Sequence, residues 1–386
     1  MAASGPGQSF GLAVFTDPLM AAGDINRSAF SVLYGIATLC SAALALAAGR
    51  VLDRVGPRAV WTVATIGLAA SLALLSVDAG LVGFVPALCA ARAFGQGTLP
   101  LIASVIVARR FDRGRSAAMA IAVQGLTVSG LLVPILVTAM SQELGWRAAL
   151  RGMSLALIVV VLPLGLALLG AAPLARAATS LRTGPGERAV PRTGVRLLAA
   201  TLAVPALVTT AIVVHATAIG REAGVTAGVA ATAIAAVAVG SAAGVLAGGW
   251  LGGRWPPGRL LAGITVTVTL GSLLVATASP ASLLAGYAAC GTAGGLVVTA
   301  SVSLWARTYG MEGFGGLQGT ASAAQISGAA LGPLVPALSS SLTGSFTAGL
   351  VTLAALGVLA AIAGRRWVSL TRDLRASAPA IAVASA

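Results

Sequence analysis

The chain has 386 residues, of which 58% are hydrophobic and only 9% charged, with a mean hydropathy of +0.97. A water-soluble domain carries charge on about a quarter of its residues, so an extended soluble domain is excluded. The formal net charge of +14 rests entirely on arginine, but these arginines punctuate apolar runs instead of gathering on one solvated face, which argues against nucleic-acid binding.

A membrane-spanning helix needs roughly 20 mainly apolar residues, and punctuation by Gly, Pro and Arg separates twelve such runs. Six lie near 5–22, 28–48, 59–77, 81–108, 116–140 and 148–170, and six near 197–219, 224–248, 259–278, 282–306, 316–341 and 345–364. This predicts an all-α membrane protein of twelve transmembrane helices. An N-terminal six-helix half (1–170) is followed by a cytoplasmic linker (171–196), a C-terminal half (197–364) and a cytoplasmic tail (365–386). The first run lacks a basic flank and holds few bulky apolar residues before Phe10, so the helix is short, or truncated by a true start upstream of Met1; the second reading is preferred. No charged leader or cleavage site is present. Cys40, Cys89 and Cys290 all fall inside apolar runs, so no disulfide framework is expected.

Arginine placement sets the orientation. With both termini in the cytoplasm, 19 of the 24 arginines fall on the inner face. Arg27, Arg147, Arg151 and Arg221 fall outside, and Arg92 is left in the membrane. The halves also repeat. Gly49-Arg-Val-Leu-Asp-Arg54 recurs as Gly249-Trp-Leu-Gly-Gly-Arg254, Ala108-Arg-Arg-Phe111 as Ala306-Arg-Thr-Tyr309, and Val133-Pro134 as Val335-Pro336. Such internal repeats imply two pseudo-symmetric bundles around a central cavity.

The run Gly49-Arg-Val-Leu-Asp53-Arg54-Val-Gly56-Pro-Arg58 resembles the signature that the major facilitator superfamily carries between its second and third spans. Arg92-Ala-Phe-Gly95-Gln-Gly97 is similar to that family's fourth-span R-x-x-x-G-x-G signature, one residue shorter, and Gly145-Trp146-Arg147 before the sixth span is another shared feature. The resemblance spans essentially the whole chain and implies a secondary transporter. A narrower likeness, to bacterial monocarboxylate-porter-like proteins, lies in GPGQSFGLAVFTDPL and the His215 span. Porters of that kind place charges in spans eight and eleven, where this chain has none, which argues against a carboxylate.

Several residues could carry mechanism. A carboxylate at Asp53 suits the N-terminus of a helix, where orphan N–H groups and the dipole favour an anion. The resemblance implies that Asp53, with Gly49, Arg54, Gly56 and Arg58, latches the two halves on the inside. The second half has Gly253 at the matching place, so the latch is expected on one side only. Arg92 lies mid-span, where charge costs roughly 2.5–3.5 kcal/mol. Anion recognition or tuning of a proton site is the functional reading, and bonding to carbonyls between packed helices the structural one. A free imidazole titrates near physiological pH, which makes His215, the sole histidine, a coupling candidate, as is Asp17; packing and helix capping are their respective alternatives. Gln8, Gln124 and Gln325 are cavity-lining candidates. Gly95 and Gly97, together with Gly328, Gly332 and Pro333, are helix-packing or bending positions. The family's antiporters carry a G-x-x-x-G-P pattern in span five, which here reads Gly125…Gly130…Pro134 at another spacing, so antiport is not supported.

The expected activity is transport of a small solute across the plasma (inner) membrane by alternating access, coupled to protons, with an organic anion as the substrate class that Arg92 favours. Drug or metabolite efflux is the alternative within the class, and a non-transporting membrane sensor or scaffold the alternative outside it. No phosphate-cradling G-x-x-x-x-G-K-[ST] run points to ATP drive. Too few His, Asp and Glu reach the membrane interior for a metallo-enzyme site. No cofactor, metal or nucleic-acid partner is expected. The partners are the bilayer, protons and the solute, and the chain is expected to act as a monomer.

Overall fold

The computed structural model describes residues 1–77, 80–111, 114–171 and 192–376, and all regular structure among them is helical. Most of the expected linker, 172–191, and the end of the tail, 377–386, lie outside the described residues. The first segment, α1, comes in three short pieces, Ala2–Gly7, Ser9–Ala13 and Thr16–Ala22. Then follow α2 (Arg27–Val55), α3 (Pro57–Leu75), α4 (Gly80–Arg110), α5 (Arg115–Leu144) and α6 (Trp146–Gly170). In the second half α7 is split into Arg192–Val214 and Ala216–Glu222, and α8 (Ala227–Arg254), α9 (Pro257–Ala276) and α10 (Pro280–Tyr309) are continuous. The next helix, α11, is split into Phe314–Leu331 and Leu334–Thr343, and α12 runs Thr347–Ala376, so the arginine-rich start of the expected tail is helical. Among the described residues, eleven helices are long and apolar enough to cross a bilayer. The short pieces of α1 are not among them.

Local chemistry fixes the ends. Pro57, Pro257 and Pro280 open α3, α9 and α10, where a missing N–H costs nothing. The side chains of Asn26 and Thr226, exactly one repeat apart, accept from the backbone N–H three residues on to cap α2 and α8. The outer surface is apolar, as lipid requires: Val82 is 88% and Ile121 75% exposed.

The halves meet through α2 on α11 and α5 on α8. Exchanging the halves turns one pair into the other, as pseudo-twofold symmetry demands. Within the second half α8 and α10 pack backbone to backbone. A Cβ at Gly240, Gly244, Gly291 or Gly295 would strike the partner helix's carbonyl groups. The i, i+4 glycine spacing is the small-residue packing that membrane helices use in place of a hydrophobic drive.

Candidate functional site

Asp53 sits on the last turns of α2, half-exposed at the arginine-rich end of the molecule. Its Oδ1 accepts from Gly315 N–H and its Oδ2 from Gly316 N–H, both at 2.8 Å. These amides belong to the first turn of α11, so a side chain of one half caps a helix of the other. Arg109 at the end of α4 completes the group, donating from Nη2 to Asp53 Oδ1 at 2.8 Å. Glycine is required here: a Cβ on Gly315 would strike the Gly49 carbonyl and come 2.6 Å from Asp53 Oδ1. Gly56 turns the chain between α2 and α3 at φ +83°, a left-handed value that disfavours any side chain. Arg54 and Arg58 are exposed, and Arg58 reaches over Gly170 of α6. Above this junction Ala42 and Ala45 of α2 pack on Ile326 of α11, extending the contact toward the middle of the membrane.

The pseudo-symmetric junction differs. Gly253 has open space around it. Arg307, in the position of Arg109, donates instead to the carbonyl oxygens of Gly252 and Trp255 at 3.0 and 2.9 Å. Ser303 Oγ also donates to Gly252 O. Against them stands α5, where Ser116 and Ala120 touch the Gly252 and Gly249 backbone.

Arg92 is 1% exposed, at the point where α4 changes from α to π geometry over Ala93–Thr98. Its Nη1 donates to Ser9 Oγ (3.1 Å) and Gly7 O (3.4 Å) on α1, and its Nη2 to Thr38 Oγ1 (3.2 Å) on α2. The guanidinium lies 4.6 Å from the Tyr34 ring centroid, a cation–π contact. It meets no carboxylate among the described residues, and its Nε has no acceptor. Gln96 Oε1, one turn on, and Ser41 Oγ on α2 are likewise buried without partners. π-turns inside α-helices recur at functional sites.

His215 occupies the break in α7, and its Nε2 lies 2.9 Å from Pro333 O at the break in α11. A carbonyl only accepts, so the proton of this contact is on Nε2. The Phe346 ring flanks it at 5.4 Å. Two turns farther out, Glu222 accepts from Ser345 Oγ, Phe346 N–H and Thr347 Oγ1 at the start of α12. Partial burial pushes its carboxyl up, but these hydrogen bonds outweigh it and hold the group below the ordinary carboxylate value. Asp17 lies exposed in the first turn of the outermost piece of α1.

The other sequence candidates are scattered. Gln8 Nε2 contacts Ser4 Oγ and, at 3.5 Å, Gly95 O. Gln124 is exposed and Gln325 half-buried, with no hydrogen bond joining them to Gln8 or to Arg92. The glycines do pack: Gly95 meets Gly7 of α1, Gly97 meets Ser41 of α2, and Gly328 and Gly332 meet the Ala203 and Leu207 carbonyls of α7. Pro333 follows at the point where α11 breaks. Arg92 and His215 belong to separate halves and share no partner. Sequence reasoning missed Gly315, Gly316 and Arg109 as partners of Asp53, the Tyr34–Thr38–Ser9 cage of Arg92, and Glu222. The one available signal was the run Gly313-Phe-Gly-Gly316 opening span eleven, which leaves bare amides where another chain can approach.

The Major Facilitator Superfamily model matches residues 4–214. No curated protein matches the chain. Among solved structures, FucP, a Major Facilitator Superfamily transporter of E. coli in the outward conformation, aligns with TM-score 0.73 at 15% identity, covering 95% of this chain and 96% of that one. A bacterial homologue of the iron transporter ferroportin in the outward-facing state also gives 0.73 at 15% identity, covering 95% and 97%. A human organic anion transporter gives 0.63 at 19% identity, covering 92% and 89%. At these identities the likeness is one of fold. With a family match over more than half its length and the twelve-segment fold, this multi-pass membrane protein belongs to the Major Facilitator Superfamily of transporters.

Proposed function

We propose that the protein carries a small organic anion across the inner membrane by alternating access, driven by protons, with both termini in the cytoplasm. The observation that carries this reading is the Asp53 cap on α11, a polar junction between the halves at the arginine-rich end. It is partly solvated already, so the state in which it is broken lies within a few kcal/mol of the closed one, the range over which a ligand can shift populations. The closed arginine-rich end corresponds to an outward-facing state.

Arg92 supports an anion. A guanidinium buried without a carboxylate retains charge that a solute can satisfy, and its unused Nε together with Gln96 and Ser41 gives further hydrogen-bonding capacity beside it. His215 supports proton coupling, because its imidazole bridges the places where α7 and α11 are both broken. The scarcity of acids inside the membrane weighs against cationic-drug efflux.

The test is flux into proteoliposomes under an imposed pH gradient, with organic anions first selected by thermal shift of the purified protein. Arg92→Ala and His215→Ala are expected to keep expression and to reduce gradient-driven uptake. Wild-type flux in both variants removes these residues from the mechanism, and absence of any flux favours a sensor or scaffold.

A further inference from the structure

On the outer flank of the second half, α9 and α12 enclose a groove of about 380 Å³ at the arginine-rich end. Its floor is made by residues with little or no side chain. A Cβ on Gly258 would lie 3.3 Å from Val368, and one on Gly364 would lie 3.8 Å from Leu261, so the two helices nearly touch beneath it. Ala262 and Ala361 leave a slot along that seam. Farther into the membrane the wall is Val266, 52% exposed on the lipid-facing surface.

At the mouth stand Arg365 and Arg372, two turns apart on one face of α12, with Ser369 between them. Both arginines are exposed and neither makes an ion pair among the described residues. The depth of the mouth is marked by tryptophan. Trp250 and Trp255 are 60% and 39% exposed, and a Cβ on Gly263 of α9 would lie 3.9 Å from the Trp255 ring. Exposed tryptophans gather at headgroup level. An apolar slot that opens to lipid, capped at headgroup depth by two unpaired cations, matches the two ends of one kind of molecule.

We propose that this groove binds a single anionic phospholipid, its acyl chain lying in the slot over Ala262 and Ala361 and its phosphate paired with Arg365 and Arg372. Basic pockets between spanning helices on the cytoplasmic side recognise anionic headgroups in this way. The lipid would tie the helical extension of α12 to the first turns of α9, and its site is independent of Arg92 and of the junction at Asp53.

Native mass spectrometry on the full chain in neutral detergent, offered equal amounts of phosphatidylglycerol and phosphatidylcholine, reads this directly. One phosphatidylglycerol should stay bound where phosphatidylcholine is stripped. At ~1 kcal/mol per basic residue, Arg365→Gln with Arg372→Gln should weaken retention by roughly thirtyfold. Ala361→Leu, which fills the slot and keeps the charge, should lower it too. The flanking pair Arg259→Gln with Arg366→Gln removes the same charge and should leave retention intact. Equal retention of both lipids, equal loss in the flanking pair, or displacement of the lipid by millimolar inorganic phosphate would each overturn the assignment.

Discussion

Two junctions that symmetry makes equivalent are built from different chemistry. Where α2 meets α11, Asp53 places a charge across two backbone amides of the opposite half and is held there by Arg109. Where α8 meets α5, Gly253 stands in its place, and Arg307 turns inward to the carbonyls that end α8. The first is a directional bond between halves, open to screening by salt because Asp53 and Arg109 keep 19% and 28% of their side-chain exposure. The second is close packing of small residues, with Arg307 and Ser303 donating to the Gly252 carbonyl inside one half. A bundle so arranged joins its halves through a charged helix cap on one side and through small-residue packing on the other. Duplication of a fold therefore does not entail duplication of the contacts that join its halves.

The most severe way to break the contrast is steric. Gly315→Val drives a side chain into the Gly49 backbone, and overpacking of this kind costs about 1–3 kcal/mol. A cysteine replacing the fully buried Ala45 should then react with a water-soluble maleimide roughly tenfold faster or more, whereas Gly253→Ala should leave that reactivity unchanged. Gly253→Asp sharpens the contrast from the other side. It offers the first turn of α5 the carboxylate that α11 already has, and should slow labelling of the same cysteine by roughly fivefold, the effect of an anion at a helix N-terminus. Arg109→Gln removes a partly exposed pair worth at most about 1 kcal/mol, so labelling should rise by severalfold and less than for Gly315→Val.

The smallest effect lies at the far end, where Glu222 ties α7 to α12. Its carboxyl is held below the ordinary value, so its stabilisation is complete above that value and fades as pH falls through the depressed one. Glu222→Gln should lower the melting temperature slightly at neutral pH and by progressively less in acid, as followed by tryptophan fluorescence. A constant difference across that range would deny the carboxylate its role.

Much of this was legible in the sequence because lipid imposes a coarse code. Apolar length and the internal repeats suffice to give twelve segments and two halves, and Gly332-Pro333 announces the break in α11. Pro134 shows the limit of that signal, since α5 runs unbroken through it to Leu144. Asp53 was readable as a helix-capping carboxylate from its place at a loop junction. Its acceptor amides lie 262 and 263 residues away, and no local pattern ties the two together. Arg92 was readable as costly, but its cage comes from α1 and α2. The three-piece α1 left only the shortage of bulky apolar residues before Phe10 as a sign, and its breaks were not readable because small residues suit helix, turn and close packing alike. The glycine ladder between α8 and α10 was present at i, i+4 spacing, yet in a chain with 49 glycines it does not stand out.

Distance distributions between spin labels at Arg110 and Glu312, exposed positions at the arginine-rich ends of α4 and α11, test the latch most directly in liposomes. Hydrogen bonds to a charged group contribute about 1.5–3 kcal/mol. Asp53→Asn should therefore move a population of roughly tenfold or more from the short distance to a longer one, with Gly253→Ala superimposing on the wild type. Identical distributions for Asp53→Asn and the wild type would mean that the two halves are held together by something other than this carboxylate.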